Sequence, residues 1–285
     1  MPNWNLNYMD VKGKNENVKT VLNFIKENYN TTRVSEDEYI YMLDFEKFLP
    51  TPLDDKGEII EGWYEWRYEN WGCKWSPCSE QYNYLTVTYN DGSTQSYSML
   101  TAGSIADLKF DEKNIDKLLE DTNIKEILLE SSFETPWCPP YAIIGKWSER
   151  YKDIELVNKY YEPGCGFVGE MGFNNDEGLF DECYECNEME PYLTYILEEG
   201  FESVDWYIDE IYMWIEEMYR EEKGDEFVNA LFNKVKEQIE NEKDNKNIAK
   251  LICEIYDKYF DYCNNINKEK KYIIFKEGIK IPSFL

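Results

Sequence analysis

The chain has 285 residues, of which 16% are aromatic, and this composition excludes a wholly disordered protein. Its 58 acidic residues against 30 basic ones give a net charge of −28, which argues against direct binding to nucleic acid or lipid phosphates. Histidine is absent, so Ser-His and Cys-His nucleophile pairs are excluded. With no apolar run of membrane-spanning length and no secretory leader, we expect a cytoplasmic protein whose eight cysteines are reduced.

The first elements alternate between strand and helix. Asn5 to Lys12 is predicted to be a short strand, and the alternation of Leu6 and Tyr8 favours a half-buried edge. Gly13 is expected to end it. A helix follows whose apolar stripe is Val18, Val21, Leu22 and Ile25. Turn residues from 28 to 32 lead to a second predicted strand from 39 to 45.

An unusually aromatic segment runs from Gly62 to Trp75 and holds four tryptophans. Its ring spacing is typical of a helical turn, and Gly72 would let the chain leave that helix. We expect these rings to fill one end of the core, because buried aromatic residues dominate the cores of small domains. The alternative is a platform on which bases or sugars stack, which the surrounding negative charge disfavours.

The middle of the chain predicts a hairpin and then a complete strand-helix-strand unit. Residues 84 to 99 alternate around Asn90-Asp-Gly, which is a hairpin signal, and 110 to 121 is typical of a helix. The unit itself consists of a strand from 124 to 133, a Pro-rich turn, an amphipathic helix, a strand from 154 to 161 and a Gly-rich turn.

Several ordered motifs of the first 170 residues resemble one known family. They are Met1-Pro-Asn-Trp, Phe45-Glu-Lys-Phe-Leu-Pro-Thr-Pro, Trp63-Tyr-Glu-Trp, Glu69-Asn-Trp-Gly-Cys-Lys-Trp, Thr135-Pro-Trp-Cys-Pro-Pro and Tyr161-Glu-Pro-Gly-Cys-Gly-Phe-Val-Gly-Glu. Together they are similar to the Api92/YubB-like family of bacteriophages and plasmids. The resemblance implies a ferredoxin-like domain and a mobile-element protein, and it supplies no catalytic residues. Cys73 and Cys138 stand where the family tends to have Thr and Ser.

The fold class that we predict is α+β with two domains. Residues 1–172 would form a ferredoxin-like antiparallel sheet domain with a hairpin and helix insertion near 80–122. Residues 173–285 would form an acidic, mainly helical domain. In that second domain Asp225 is expected to cap a helix that runs through Ile239, a last helix begins near Ile248, and 272–281 returns as a strand or a docked tail.

Negative charge is concentrated between Glu170 and Glu222, where eighteen acids face one base, Arg220. A predicted helix there has the apolar seam Val204, Ile208, Ile211, Ile215 and Met218. Such a charge run is either a solvated face or a surface that imitates a phosphate backbone. The candidate partner-binding residues are Glu198, Glu199, Glu202, Asp205, Asp209, Glu210, Glu216 and Glu217.

Candidate metal and cofactor motifs are weak. Cys183-x-x-Cys186 has the spacing of a zinc site that Cys73 and Cys78 could complete, and the alternative is four ordinary thiols. Gly164-x-Gly-x-x-Gly has dinucleotide spacing but no helix to hold a phosphate. The acids of 174–181 lack the ligand order of a calcium loop. We therefore predict no metal, no cofactor and no catalytic residue.

These observations lead to one expected function and two alternatives. We expect a phage- or plasmid-type protein of the host cytoplasm that inhibits a nucleic-acid-handling host defence complex, through carboxylates that meet a basic protein surface. It would bind neither nucleic acid nor membrane directly. The first alternative is a small enzyme that uses carboxylates or a cysteine or metal site. The second is a structural protein whose C-terminal helices pair between copies.

Overall fold

A computed structural model describes residues 3–33, 39–77, 82–98, 108–109, 112–174 and 178–276. The chain divides into two compact units, Met1–Cys183 and Tyr184–Leu285. The strands are β1 Trp4–Lys14, β2 Tyr29–Arg33, β3 Tyr39–Leu43, β4 Tyr82–Tyr89, β5 Thr94–Ser98, β6 Leu108–Lys109, β7 Ile124–Pro136, β8 Glu155–Glu162, β9 Phe167–Asn174 and β10 Gly178–Glu185.

Helices occur in both units. Those of the first unit are α1 Val18–Asn28, α2 Phe45–Phe48, α3 Trp63–Trp71, α4 Glu112–Glu120 and α5 Tyr141–Arg150. Those of the second unit are α6 Met189–Glu199, α7 Val204–Lys223, α8 Asp225–Asn241 and α9 Asn245–Lys276. Within the described ranges, no helix combines the length and the apolar composition that crossing a membrane requires.

The described residues of the first unit build one large sheet with the strand order β10-β9-β8-β1-β7-β4-β5-β6. Its centre is β8-β1-β7-β4, in which every neighbouring pair is antiparallel. Helix α5 connects β7 to β8 with β1 between them, and α1 follows β1 on the way to β4, so the centre is made of two interleaved strand-helix-strand units. The predicted ferredoxin-like antiparallel sheet and α+β class are confirmed.

Strand β1 is central, not an edge, and its buried side is the opposite of the one predicted. Tyr8 is 49% exposed, whereas Asn5, Asn7 and Met9 are buried. Asn7 donates hydrogen bonds to the Thr135 hydroxyl at 2.9 Å and to the Asn5 carbonyl at 3.1 Å. Because Asn5 and Asn7 share the buried side with Met9, the apolar residues Leu6 and Tyr8 belong to the other side of the strand.

Two strands of the first unit, β2 and β9, lie where no strand was predicted. β2 follows α1 directly and pairs with β3, so residues 28 to 32 do not form the expected turn. Strand β9 pairs with β8 beyond the Gly-rich turn, at residues for which no strand was predicted. The Glu162 carboxylate holds that turn, since it accepts hydrogen bonds from the backbone N–H groups of Gly164 and Cys165. Gly164-x-Gly-x-x-Gly therefore leads into a strand.

Most of the predicted elements of the second unit are present, and the apolar seam of α7 is confirmed, with Ile208, Ile211, Ile215 and Met218 buried. The prediction that Asp225 caps α8 is wrong, because Gly224 is the N-cap and the Asp225 carboxylate pairs with Arg220 at 2.9 Å. Residues 272 to 276 belong to α9 and are not a strand. The rest of that predicted tail, 277 to 281, lies outside the described residues.

Candidate acidic interface

Most of the predicted partner-binding carboxylates lie on α7 and are open to solvent. Asp205, Asp209 and Glu217 are exposed, whereas Glu210 and Glu216 are half-buried. The burial of Ile208, Ile211 and their neighbours fixes this orientation, because one stripe of an amphipathic helix must face the core and the charged residues then face water. On α7, therefore, Asp205, Asp209 and Glu217 lie away from the buried seam.

Three of these carboxylates also have structural partners inside the second unit. Glu202 accepts a hydrogen bond from the Tyr207 hydroxyl at 2.6 Å, and burial together with Glu202 raises the pKa of that tyrosine. Glu217 accepts one from the Tyr259 hydroxyl at 2.7 Å, which connects α9 to α7. Glu216 pairs with Arg220 one turn later on α7. These three acids contribute to the fold of the unit as well as to its charge.

Asp205, Asp209 and Glu210 differ from them. Within the described parts of the chain, none of the three has an ion pair or a side-chain hydrogen bond. Unpaired like charges on one helix repel each other at neutral pH and lower its stability. Asp205 lies in the first turn of α7, where the helix dipole favours a carboxylate, so the cost of this clustering falls mainly on Asp209 and Glu210, for which no described contact within the unit compensates.

Glu198 and Glu199 stand apart from the α7 set. Both are exposed in the last turn of α6, just before Gly200 ends that helix in a left-handed conformation. Helix α6 packs mainly against α9, whereas α7 packs against α8 and α9, so the structure does not bring these two acids into the rows on α7. Acids at a helix C-terminus oppose the helix dipole, which again costs stability.

Two apolar residues lie on the same side of α7 and do not belong to the predicted partner-binding set. Trp206 and Met213 are each 50% exposed. Since successive residues rotate by about 100° around a helix, these two lie between two rows of acids. The sequence signal for this pair is that Trp206 and Met213 are two helical turns apart and lie opposite the buried seam. We call this surface the acidic-aromatic face, which comprises Asp205, Trp206, Asp209, Glu210, Met213, Glu216 and Glu217.

The structure gives the zinc alternative no support within the described residues. Cys73 is buried and donates a hydrogen bond from its thiol to the Trp75 carbonyl at 3.3 Å. Cys183 lies on β10 and Cys186 just after it, and both are exposed. Cys78 lies outside the described residues. Among the residues that are described, no group of three or more Cys, Asp or Glu side chains is placed to hold a metal ion.

Comparison with known proteins identifies part of the chain. Residues 119–205 match a family described as a ferredoxin-like domain in Api92-like protein. The matched range starts just before β7, includes α5, β8, β9, β10 and α6, and ends in the first turn of α7. It therefore covers 119–170 of the range in which the resemblance was expected, and it continues beyond Glu170 to 205. No curated protein and no solved structure gives a match.

Proposed function

Taking residues 119–205 as an Api92-like ferredoxin-like domain, we propose that this chain is a phage- or plasmid-type interaction protein without catalytic activity of its own. It binds a positively charged surface of a host defence complex that handles nucleic acid, and it inhibits that complex. The contact surface is the acidic-aromatic face of α7. The first unit holds the Api92-like sheet, and the second unit presents the contact surface.

One observation carries the proposal: Trp206 and Met213 remain half exposed between unpaired carboxylates of α7. Exposed large apolar side chains next to charge are typical of protein interfaces, in which a tryptophan or methionine becomes the desolvated anchor and charges form the rim. A face that served only for solubility would need the charges but not the two apolar side chains.

The charge of the face determines the kind of partner. Carboxylates on a rigid helix attract Lys and Arg side chains over roughly the Debye length, about 8 Å at physiological salt, and so raise the association rate. Proteins that handle nucleic acid carry basic grooves that bind phosphates, so a row of fixed carboxylates can occupy the same groove. This complementarity supports a nuclease, a helicase or an RNA-guided effector as the target.

Isolation of the partner, followed by charge-neutral substitutions, tests this function. The tagged full chain is expressed in bacterial cells, co-purifying proteins are identified by mass spectrometry, and the affinity of the isolated partner is measured. The test variant is D205N/D209N/E210Q, which removes the three unpaired acids of α7. The matched control, E226Q/E237Q/E254Q, removes the same charge from exposed positions on α8 and α9.

We expect the α7 variant to lose affinity at least about tenfold and the control to stay within about twofold. The partner's nuclease or helicase activity should fall in the presence of wild-type protein and recover with the α7 variant. Equal loss in both variants would mean that total charge, and not this face, determines binding. A partner without any basic surface would overturn the proposed mechanism.

A further inference from the structure

The first unit displays a second group of exposed rings, which the acidic interface does not use. Tyr64 on α3 and Tyr141 at the start of α5 are 41% and 47% exposed. The Tyr64 ring lies 5.0 Å from that of Tyr68, and the Lys74 ammonium lies 5.7 Å from the Tyr64 ring centre and 4.4 Å from that of Trp75. We call Tyr64, Tyr68, Trp75 and Tyr141 the aromatic platform.

A half-buried thiol and a glycine hold the platform in place. The Cys138 thiol donates a hydrogen bond to the Gly72 carbonyl at 3.0 Å, and burial raises the pKa of that thiol, an effect that the neighbouring Tyr141 and Tyr68 side chains reduce. Gly72 has a φ of 87°, and a Cβ there would lie 2.8 Å from the Tyr141 backbone nitrogen. The end of α3 is thus fixed against the start of α5, so the rings are ordered before any partner arrives.

The chemistry of the platform favours cations. Two cations of the chain already lie over rings near the platform. The Lys74 ammonium lies over Trp75, and the Arg67 guanidinium lies 5.0 Å from the Trp63 ring centre and 4.7 Å from that of Trp71. Exposed carboxylates form the row next to Tyr64 and Tyr68, namely Glu65 and Glu69 on α3 and Glu61 just before it. Ring faces and carboxylates both attract positive charge and repel phosphate.

We propose that the aromatic platform binds an arginine-bearing segment of a partner protein. Guanidinium groups of that segment stack on the exposed rings of Tyr64 and Tyr141, and the carboxylates of Glu65 and Glu69 beside Tyr64 accept their N–H donors. Arginine fits better than lysine, since its planar group stacks on rings and donates two parallel hydrogen bonds to one carboxylate. This surface is on the first unit and goes beyond the proposed function, because it does not depend on α7.

The test measures how two dye-labelled peptides, one of alternating Arg and Gly and one of alternating Lys and Gly, bind to the full-length protein by fluorescence anisotropy. The variants are Y64A and Y141A. The control is Y84A, which removes a ring of matched exposure, 40%, from β4. We expect the arginine peptide to bind at least about threefold more tightly than the lysine peptide, and each platform variant to weaken it about three- to tenfold. Y84A should leave it unchanged.

Specific results would overturn the proposal. Equal affinity for the two peptides would mean that net charge alone binds them. A loss of affinity in Y84A equal to that in Y64A and Y141A would mean that the platform rings have no specific role. Preferential binding of single-stranded poly-dT would point to base stacking instead of cation binding. If D205N/D209N/E210Q loses affinity for the arginine peptide and Y64A does not, the platform proposal is overturned and the α7 proposal is unaffected. Circular dichroism on each variant confirms that the sheet is folded.

Discussion

Trp206 and Met213 lie two helical turns apart on α7, and each keeps 50% of its side chain exposed between carboxylates. The opposite side of the same helix buries Ile208, Ile211 and Ile215 against the rest of the second unit. Helix α7 therefore has two apolar stripes, and only one of them is used by the fold. The exposed stripe is the feature that distinguishes an interface from a merely soluble surface.

The exposed stripe leads to a prediction about binding. W206A should lower the affinity for the partner at least about tenfold, because a tryptophan at the centre of a desolvated contact is the residue type that contributes most to binding. Its effect on the thermal unfolding midpoint should be small, since the side chain is half exposed. F260A, which removes a 55% exposed ring from α9, is the control and should retain affinity. Equal losses in W206A and F260A would contradict the assignment of the face.

Gly172 allows β8 and β9 to pair closely, so we predict that G172A destabilises the first unit. A Cβ at Gly172 would lie 1.9 Å from the Leu156 carbonyl oxygen, a distance that forces the two strands apart. We expect a loss of about 2 kcal/mol or more in the free energy of unfolding, measured with urea. G145A is the control, because a Cβ there meets nothing within 4 Å and should stabilise α5 by about 0.5 kcal/mol. If G172A unfolds like the wild type, the β8–β9 register is wrong.

A buried carboxamide joins α1 to α5 in the first unit. The Trp147 indole donates a hydrogen bond to Asn28 Oδ1 at 2.7 Å, and Asn28 Nδ2 donates to the Phe24 carbonyl at 2.8 Å and to the Tyr151 hydroxyl at 3.0 Å. N28A would leave the buried indole N–H without an acceptor, which costs about 2 kcal/mol. Urea unfolding should show this loss, while K19A, at an exposed position of α1, should change stability by less than about 0.5 kcal/mol. Equal stability of N28A and the wild type would contradict the hydrogen bond between Trp147 and Asn28.

Thiol reactivity should differ sharply within the second unit. Burial, Glu190 and Asp257 raise the pKa of the Cys253 thiol from 9.0 to about 11. At pH 8 only about one Cys253 in a thousand is then a thiolate, so iodoacetamide should modify the exposed Cys186 first. Peptide mass spectrometry against time measures the order, and equally fast modification of Cys253 in folded protein would contradict it.

The same pKa shift predicts how stability depends on pH. The folded state holds the Cys253 proton more tightly than the unfolded state, so this contribution is complete below pH 9.0 and is lost as the pH rises towards 11. C253A should remove that part of the decline in stability above pH 9.0, which urea unfolding at several pH values would show. An unchanged pH profile in C253A would contradict the shift.

The sequence predicted those elements that depend on local spacing. The α7 seam follows from helical periodicity, and the β4–β5 hairpin from Asn90-Asp-Gly, because both signals arise within a few residues. The aromatic segment was predicted only in part. Trp71 is buried in the core and Trp66 packs against it, as expected, but Tyr64 faces solvent.

The features that sequence analysis missed depend on distant partners. β1 is central because it pairs with β7 and β8, which lie far along the chain, and no local pattern reveals this. Asn5 and Asn7 are buried because they form hydrogen bonds inside the unit, whereas a polar residue type predicts exposure. β9 contains Gly169 and Gly172, which are disfavoured in strands unless another backbone comes close, as Glu182 and Leu156 do here.

The most direct test of the acidic-aromatic face is the salt dependence of partner affinity, compared between wild type, D205N/D209N/E210Q and E226Q/E237Q/E254Q. From about 0.05 to about 0.2 M salt, we predict that wild-type affinity falls at least about tenfold. The slope should flatten in the α7 variant and remain steep in the control, because only the α7 acids would contact the partner. A wild-type affinity that does not change with salt, or identical slopes in all three proteins, would contradict the account.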